Sequence, residues 1–196
     1  MELDVAALKA RLARATSLTT VYGDDDSGRA AAAVTPAAVL VPIIAHPGGL
    51  TVLFTRRTVH LKAHSGQVSF PGGRAEPDDP TPEATALREA EEEIGLARTR
   101  VEVLGRCSEY LTRTGFRVTP VIGLILPPLE LVPDAREVDE VFEVPLAFLL
   151  DPANHHRATR EISGRAVGYY EMVHEGRVIW GATAGMLVNL YRRIAA

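Results

Sequence analysis

The sequence predicts an α+β fold, with a mixed sheet carrying helices on both faces in one domain. Apolar runs of strand length recur along the whole chain of 196 residues. Helical patterns lie between them, but without the regular rhythm that an all-parallel sheet requires. No internal repeat or low-complexity linker divides the chain, so residues 1–196 read as a single domain, with 1–35 as a helix-and-loop extension at its start.

The elements follow in order. Val5, Leu8 and Leu12 fall at helical spacing and predict an amphipathic N-terminal helix. The acidic stretch 23–28 reads as a solvated loop. Residues 37–45 form an apolar run fit for a buried strand, turned by His46-Pro47-Gly48-Gly49 into a second strand over 50–55. A short strand over 67–70 enters Pro71-Gly72-Gly73. A Pro/Asp-rich loop then leads to a helix over Pro82–Ile94. Further strands are expected over 101–111, 118–126 and 138–144, and a short proline-opened helix over 145–150. Residues 171–173 and 177–180 flank a turn, and a last helix spans 182–194.

Composition limits the function classes. Hydrophobic residues make up 46% and charged ones 23%, enough apolar side chain for a core of useful size. The net charge is -4 and no Lys/Arg tract exists, which argues against a grip on nucleic acid. No apolar stretch has the length to span a bilayer, so no membrane role is expected. Residues 1–18 lack the apolar region of a secretory signal, and Glu2 and Asp4 argue against a transit peptide. The one cysteine, Cys107, excludes an intrachain disulfide and suits a reducing, cytoplasmic setting.

The chemistry concentrates in the helix over Pro82–Ile94. Thr81 suits its cap, Pro82 its first position and Gly95 the left-handed residue that ends it. At about 100° per residue, Leu87, Ala90 and Ile94 are expected to face the core, with Glu89, Glu92 and Glu93 on the opposite side. Like charges at these spacings repel, and the C-terminal half of a helix disfavours negative charge. A divalent cation reverses the sign of that interaction, and magnesium prefers oxygen ligands. Arg88, four residues before Glu92, is placed to steady it. Other residues read as structural: His60 and His64 lack a third zinc ligand, His155-His156 is a loop pair, Cys107 is a small core residue within a strand, Ser65-Gly66 is not a nucleophile elbow, and Trp180 with Tyr169-Tyr170 packs rather than stacks on a base.

Gly73 followed by Arg88-Glu89-Ala90-Glu91-Glu92-Glu93-Ile94-Gly95-Leu96 resembles the Nudix box, G-x5-E-x7-R-E-U-x-E-E-x-G-U, with U aliphatic. The interval from Gly73 to Arg88 is one residue longer than in the box, and Asp78 or Asp79 stands where the box has its loop glutamate. Upstream, the stretch from Leu53 through Gly73 resembles the signature L-L-T-x-R-(S/A)-x3-R-x3-G-x3-F-P-G-G of the coenzyme A diphosphatase branch of Nudix hydrolases. Phe54, Thr58 and Lys62 depart from it. Lys62 keeps a charge but not the bidentate geometry of arginine.

The resemblance implies a Nudix-type α/β/α sandwich around a mixed β-sheet. It also implies Mg²⁺ or Mn²⁺ held by Glu89, Glu92 and Glu93, with Arg88 beside them and a carbonyl near Gly72 helping. The implied reaction is hydrolysis of coenzyme A or acyl-CoA to (acyl-)4′-phosphopantetheine and adenosine 3′,5′-bisphosphate. Arg57 and Lys62 become candidates to hold the substrate's phosphates, and Gly72-Gly73 permits close backbone approach. The resemblance makes Glu92 and Arg88 catalytic candidates; the general base comes either from the box helix or from a later loop, where Glu137 and Glu140 are the candidates and Glu140 is chosen. A homodimer is the assembly common in the broad family. The rival readings are a Nudix diphosphatase acting on ADP-ribose or another nucleoside diphosphate derivative, a catalytically silent nucleotide-binding domain, and an isoprenoid diphosphate isomerase, for which Cys107 lies in the wrong region.

Overall fold

The computed structural model describes residues 3–14, 21–22, 34–59, 66–162 and 164–195. Its elements are α1 (Val5–Arg14), β1 (Val21–Tyr22), β2 (Thr35–His46), β3 (Gly49–Arg57), β4 (Val68–Ser69), β5 (Gly72–Arg74), α2 (Pro82–Ile94), β6 (Val101–Arg106), β7 (Tyr110–Leu111), β8 (Phe116–Ile125), β9 (Val138–Pro145), α3 (Leu146–Leu149), β10 (His156–Ile162), β11 (Arg165–His174), β12 (Arg177–Trp180) and α4 (Gly181–Ala195). Strands β1 to β9 form one mixed sheet, in the order β1-β7-β8-β2-β3-β4, with β5 added to β2, β6 to β8 and β9 to β3. β2 and β8 run parallel, whereas β2 pairs antiparallel with β3 and β5. Among the described residues no helix is long and apolar enough to cross a membrane.

Strand alternation divides β2 between two cores. Ala38, Leu40 and Ile44 meet Ala86, Ala90 and Ile94 of α2 on one face. Val41 and Ile43 point the other way, into a larger core with Leu8 and Leu12 of α1 and Leu187 and Leu190 of α4. The period of two along a strand produces this split, because successive side chains take opposite faces. The result is helix, sheet, helix, the predicted α+β layering. β10, β11 and β12 form a second, antiparallel sheet that sends Met172 and Ile179 into the larger core. On that side the two helices hold each other's ends: Arg11 donates to the carbonyl of Ile194 at 3.0 Å and Arg193 to that of Leu12 at 3.0 Å.

Two expectations need correction. The strand expected over 101–111 breaks into β6 and β7: the pairing with β8 shifts register between Val103 and Gly105, and Cys107 donates its N–H to Pro120 from the connecting loop. Cys107 therefore lies outside a strand, although it is buried as expected, and burial pushes its thiol up to about 11. His155-His156 is not a loop pair either, since His156 opens β10. That strand has no apolar alternation to betray it. Among the described residues it is an edge strand, paired with β11 alone, and Arg157, Arg160 and Glu161 are exposed.

α2 forms with the predicted boundaries and caps. Thr81 accepts the N–H of Ala84 at 3.2 Å, and Gly95 ends the helix in the left-handed region at φ 69. A side chain there is strained, and a Cβ would also lie 2.9 Å from the backbone nitrogen of Val132. Gly95→Ala is therefore expected to lower stability by about 1–3 kcal/mol, measured by chemical denaturation. A variant as stable as the parent would contradict the capping role.

Candidate functional site

The turn between β4 and β5 sets the floor of the site. The N–H of Leu40 in β2 holds the carbonyl of Pro71 at 2.9 Å, so the glycine pair is pressed against the central strand. At Gly72 a Cβ would lie 2.5 Å from the carbonyl oxygen of Ala38, and at Gly73 it would lie 2.6 Å from the carboxylate of Glu89. Gly72 has no room for a larger residue, and a side chain at Gly73 would displace the Glu89 carboxylate. The helix can therefore bring its carboxylates onto the backbone itself.

The three glutamates are not equivalent. Glu93 was expected on the face opposite the core, yet it is 5% exposed. The helical repeat gives the reason: three residues of 100° put Glu93 only about 60° from Ala90, at the margin of the buried face. Its carboxylate accepts the N–H of Gly72 at 3.4 Å and lies 3.6 Å from the guanidinium of Arg57. Burial, set against the Arg57 charge and reinforced by Glu89 and Glu137, pushes Glu93 up to about 8. Glu89 is raised too, chiefly by burial. Glu92 stands outside with its side chain 58% exposed. Leu87, expected in the core, is only partly buried beside it.

Arg88 organises the outer side of the cluster. It meets Glu89 and Glu92 at 3.0 Å each, and it donates to the carbonyl of Arg74 at 3.1 Å. The expected i,i+4 pair with Glu92 thus forms. The strongest anchor is Asp79, 2.9 Å from the Arg88 guanidinium, which holds that carboxyl well below the usual carboxylate range. Asp78 is exposed. Of the two aspartates that stand in place of the box glutamate, Asp79 is the one in contact.

Arg57 reaches a second carboxylate, that of Glu137, at 3.8 Å. Glu140, chosen from sequence as the base, is not brought to this cluster. It shares a face of β9 with Phe142 and Val144, two and four residues on, which point into the larger core on the other side of the sheet. There it is held by Arg56 at 3.1 Å and Arg177 at 2.6 Å. Glu137 was the sequence alternative. Its position was not legible because the pairing of β3 with β9 shifts between Arg56 and Arg57, so counting by twos fails there. Lys62, with His60, His64 and Ser65, lies outside the described residues, as does the acidic stretch 23–28.

The donor chemistry fits a hard divalent cation, being all oxygen. Two raised carboxylates against one backbone turn, Glu93 buried and Glu89 half-buried, are the feature that calls for it, since a cation stabilises the ionised form that burial disfavours. Glu89 and Glu93, with the backbone at Gly72, would form the inner set and Glu92 the outer. Among the described residues no three His, Cys, Asp or Glu side chains converge tightly enough to hold an ion as they stand. Arg88 holds Glu92 and Glu89, while Glu93 turns inward.

A family model described as the NUDIX domain matches residues 34–165. The uncharacterized Nudix hydrolase NudL of Photorhabdus laumondii is 41% identical over 158 residues, which cover 81% of this chain and 84% of that protein. Its namesake in Yersinia pestis is 40% identical over 159 residues, covering 81% and 79%. A MutT/nudix family protein from Enterococcus faecalis aligns over 100% of this chain and 76% of its own with a TM-score of 0.52. At 15% identity that likeness is one of fold.

Without metal, Glu93 makes stability depend on pH. Its folded value lies above the ordinary 4.5, so the folded state keeps a proton that the unfolded chain releases. Stability should fall as pH rises from about 4.5 to about 8 and level off beyond. With chelator present, Glu93→Gln should melt higher than the parent at pH 9 and alike at pH 4. Parallel pH curves for the two proteins would refute the burial of this carboxyl.

Proposed function

We propose that this chain, which belongs to the Nudix family of enzymes acting on diphosphate bonds, hydrolyses coenzyme A or an acyl-CoA. The products are (acyl-)4′-phosphopantetheine and adenosine 3′,5′-bisphosphate. The observation that carries the reading is Arg57. It belongs to the upstream signature from Leu53 to Gly73, and its guanidinium lies 3.6 Å from Glu93 in the box helix. The two motifs, distant in sequence, thus share one site, where a cation is ready for an anionic substrate.

Nudix enzymes generally use divalent cations; here Mg²⁺ or Mn²⁺, held by Glu89, Glu93 and Glu92, would screen the diphosphate oxygens and acidify water. The chain's own residues do the rest. Arg57 and Lys62 are the proposed contacts to substrate phosphates. Arg88, fixed by Asp79, keeps Glu89 and Glu92 from splaying. Glu137, with its side chain 49% exposed, is open to solvent and is proposed to accept the proton of the attacking water. The water oxygen bonds to one phosphorus, the bridging bond breaks, and the other phosphate leaves with the bridging oxygen.

ADP-ribose or another nucleoside diphosphate derivative is the second reading, and a substrate panel with mass-identified products separates the two. Coenzyme A or acyl-CoA should be cleaved with Mg²⁺ or Mn²⁺, and cleavage of ADP-ribose with no coenzyme A species touched would move the assignment. Within the same assay Glu137→Gln should slow turnover about a hundredfold. Glu140→Gln should leave kcat near the parent value, because its carboxylate pairs with Arg56 and Arg177 on the far face.

A further inference from the structure

We propose that Thr58 is a positioning residue for Glu137, an inference that rests on Glu137 acting as the base. The regular ladder between β3 and β9 reaches its last pair at Arg57 and Val138, just after a register shift. Beyond that point, two bonds from one residue hold the incoming chain. The N–H of Thr58 donates to the carbonyl of Glu137 at 2.9 Å, and its hydroxyl donates to the carbonyl of Arg136 at 3.1 Å. Thr58 is 7% exposed, so both bonds are shielded from water. They fix the two peptide planes from which the Glu137 side chain departs.

The same loop is tied to the helix that carries the metal-ligand candidates. The N–H of Val132 donates to the carbonyl of Ile94 at 2.9 Å, and that of Asp134 to the carbonyl of Glu93 at 2.9 Å. These are terminal carbonyls without partners inside α2. Asp134 also accepts the N–H groups of Glu137 and Val138 at its own carbonyl, 2.9 Å each. One end of residues 131–138 therefore rides on α2 and the other on Thr58. Between them the Glu137 carboxylate is delivered to Arg57, 3.8 Å away, which in turn meets Glu93. The helix end reaches Glu137 only at its N–H, through the Asp134 carbonyl, and leaves the carbonyls on either side of the Glu137 Cα to Thr58. The Thr58 hydroxyl supplies the second point of attachment.

The test is steady-state hydrolysis by Thr58→Val, which keeps the branched shape and the N–H but loses the hydroxyl. Its kcat should fall about tenfold or more, as expected for a misaligned catalytic group. KM and the affinity for Mn²⁺ should not change, and the acidic limb of the pH profile should shift. Thr58→Ser should restore the parent rate, and Thr58→Ala, read alongside, should repeat the loss if the valine variant folds poorly. On a Glu137→Gln background the valine substitution should cost nothing more, since the two residues act as one unit. A parent-like kcat in Thr58→Val and Thr58→Ala, or a full further loss on the Glu137→Gln background, overturns the proposal. If Glu137→Gln itself keeps the parent rate, the reading of Glu137 fails first and this inference with it. If Glu137→Gln is slow and the Thr58 variants are fast, only the positioning role is lost.

Discussion

A carboxylate pressed between a helix and a glycine turn is the constraint around which the site is built. Glu93 is excluded from water on the flank of α2, facing Gly72, and among the described residues its cationic neighbour is Arg57 at 3.6 Å. Two unit charges at about 4 Å attract by roughly 4 kcal/mol at an effective dielectric of about 20. Here that attraction loses to burial, because Glu93 still rises to about 8. Glu89 suffers the same desolvation beside it. A second positive charge of higher valence is what the pair lacks, and hard divalent cations match its oxygen donors.

The rest of the fold serves to hold that arrangement. The central strand β2 grips the turn through Leu40 and forbids a side chain at Gly72, while Gly73 leaves the space that the Glu89 carboxylate fills. α2 lies on β2 through Ala86, Ala90 and Ile94, small and apolar at the closest contacts. Its N-terminal half is anchored by Asp79 acting through Arg88, and its C-terminal carbonyls are taken by the loop that brings Glu137. The candidate ligands Glu89, Glu92 and Glu93 thus sit on a helix and Arg57 on a strand, the condition under which sub-ångström placement can be kept. On the far face, Glu140 spends its charge on Arg56 and Arg177, joining β9 to β12 and so the large sheet to the small one.

Much of this was legible in the sequence, and the failures share a cause. α2 could be read to the residue because Thr81, Pro82 and Gly95 mark its ends by local chemistry. β2 and β3 announced themselves as apolar runs buried on both faces. β10 did not, because its partner is bonded through the backbone and its side chains are charged. Glu140 pairs with Arg56 and Arg177 and Glu137 with Arg57 because β3 and β9 slip register between them, a feature with no residue signature. Glu93 was placed on the wrong side of the helix by treating the apolar stripe as sharply bounded, when its margin holds a buried carboxylate. Asp79 and Thr58 acquire their roles only through contacts 9 and 78 residues away along the chain.

Locating a bound cation tests the central claim most directly. Crystals soaked in Mn²⁺ should show an anomalous peak within bonding distance of the Glu89 and Glu93 carboxylates, above the Gly72 turn. A peak elsewhere on the molecule, or one that leaves Glu93 untouched with its carboxylate still turned inward, would contradict it.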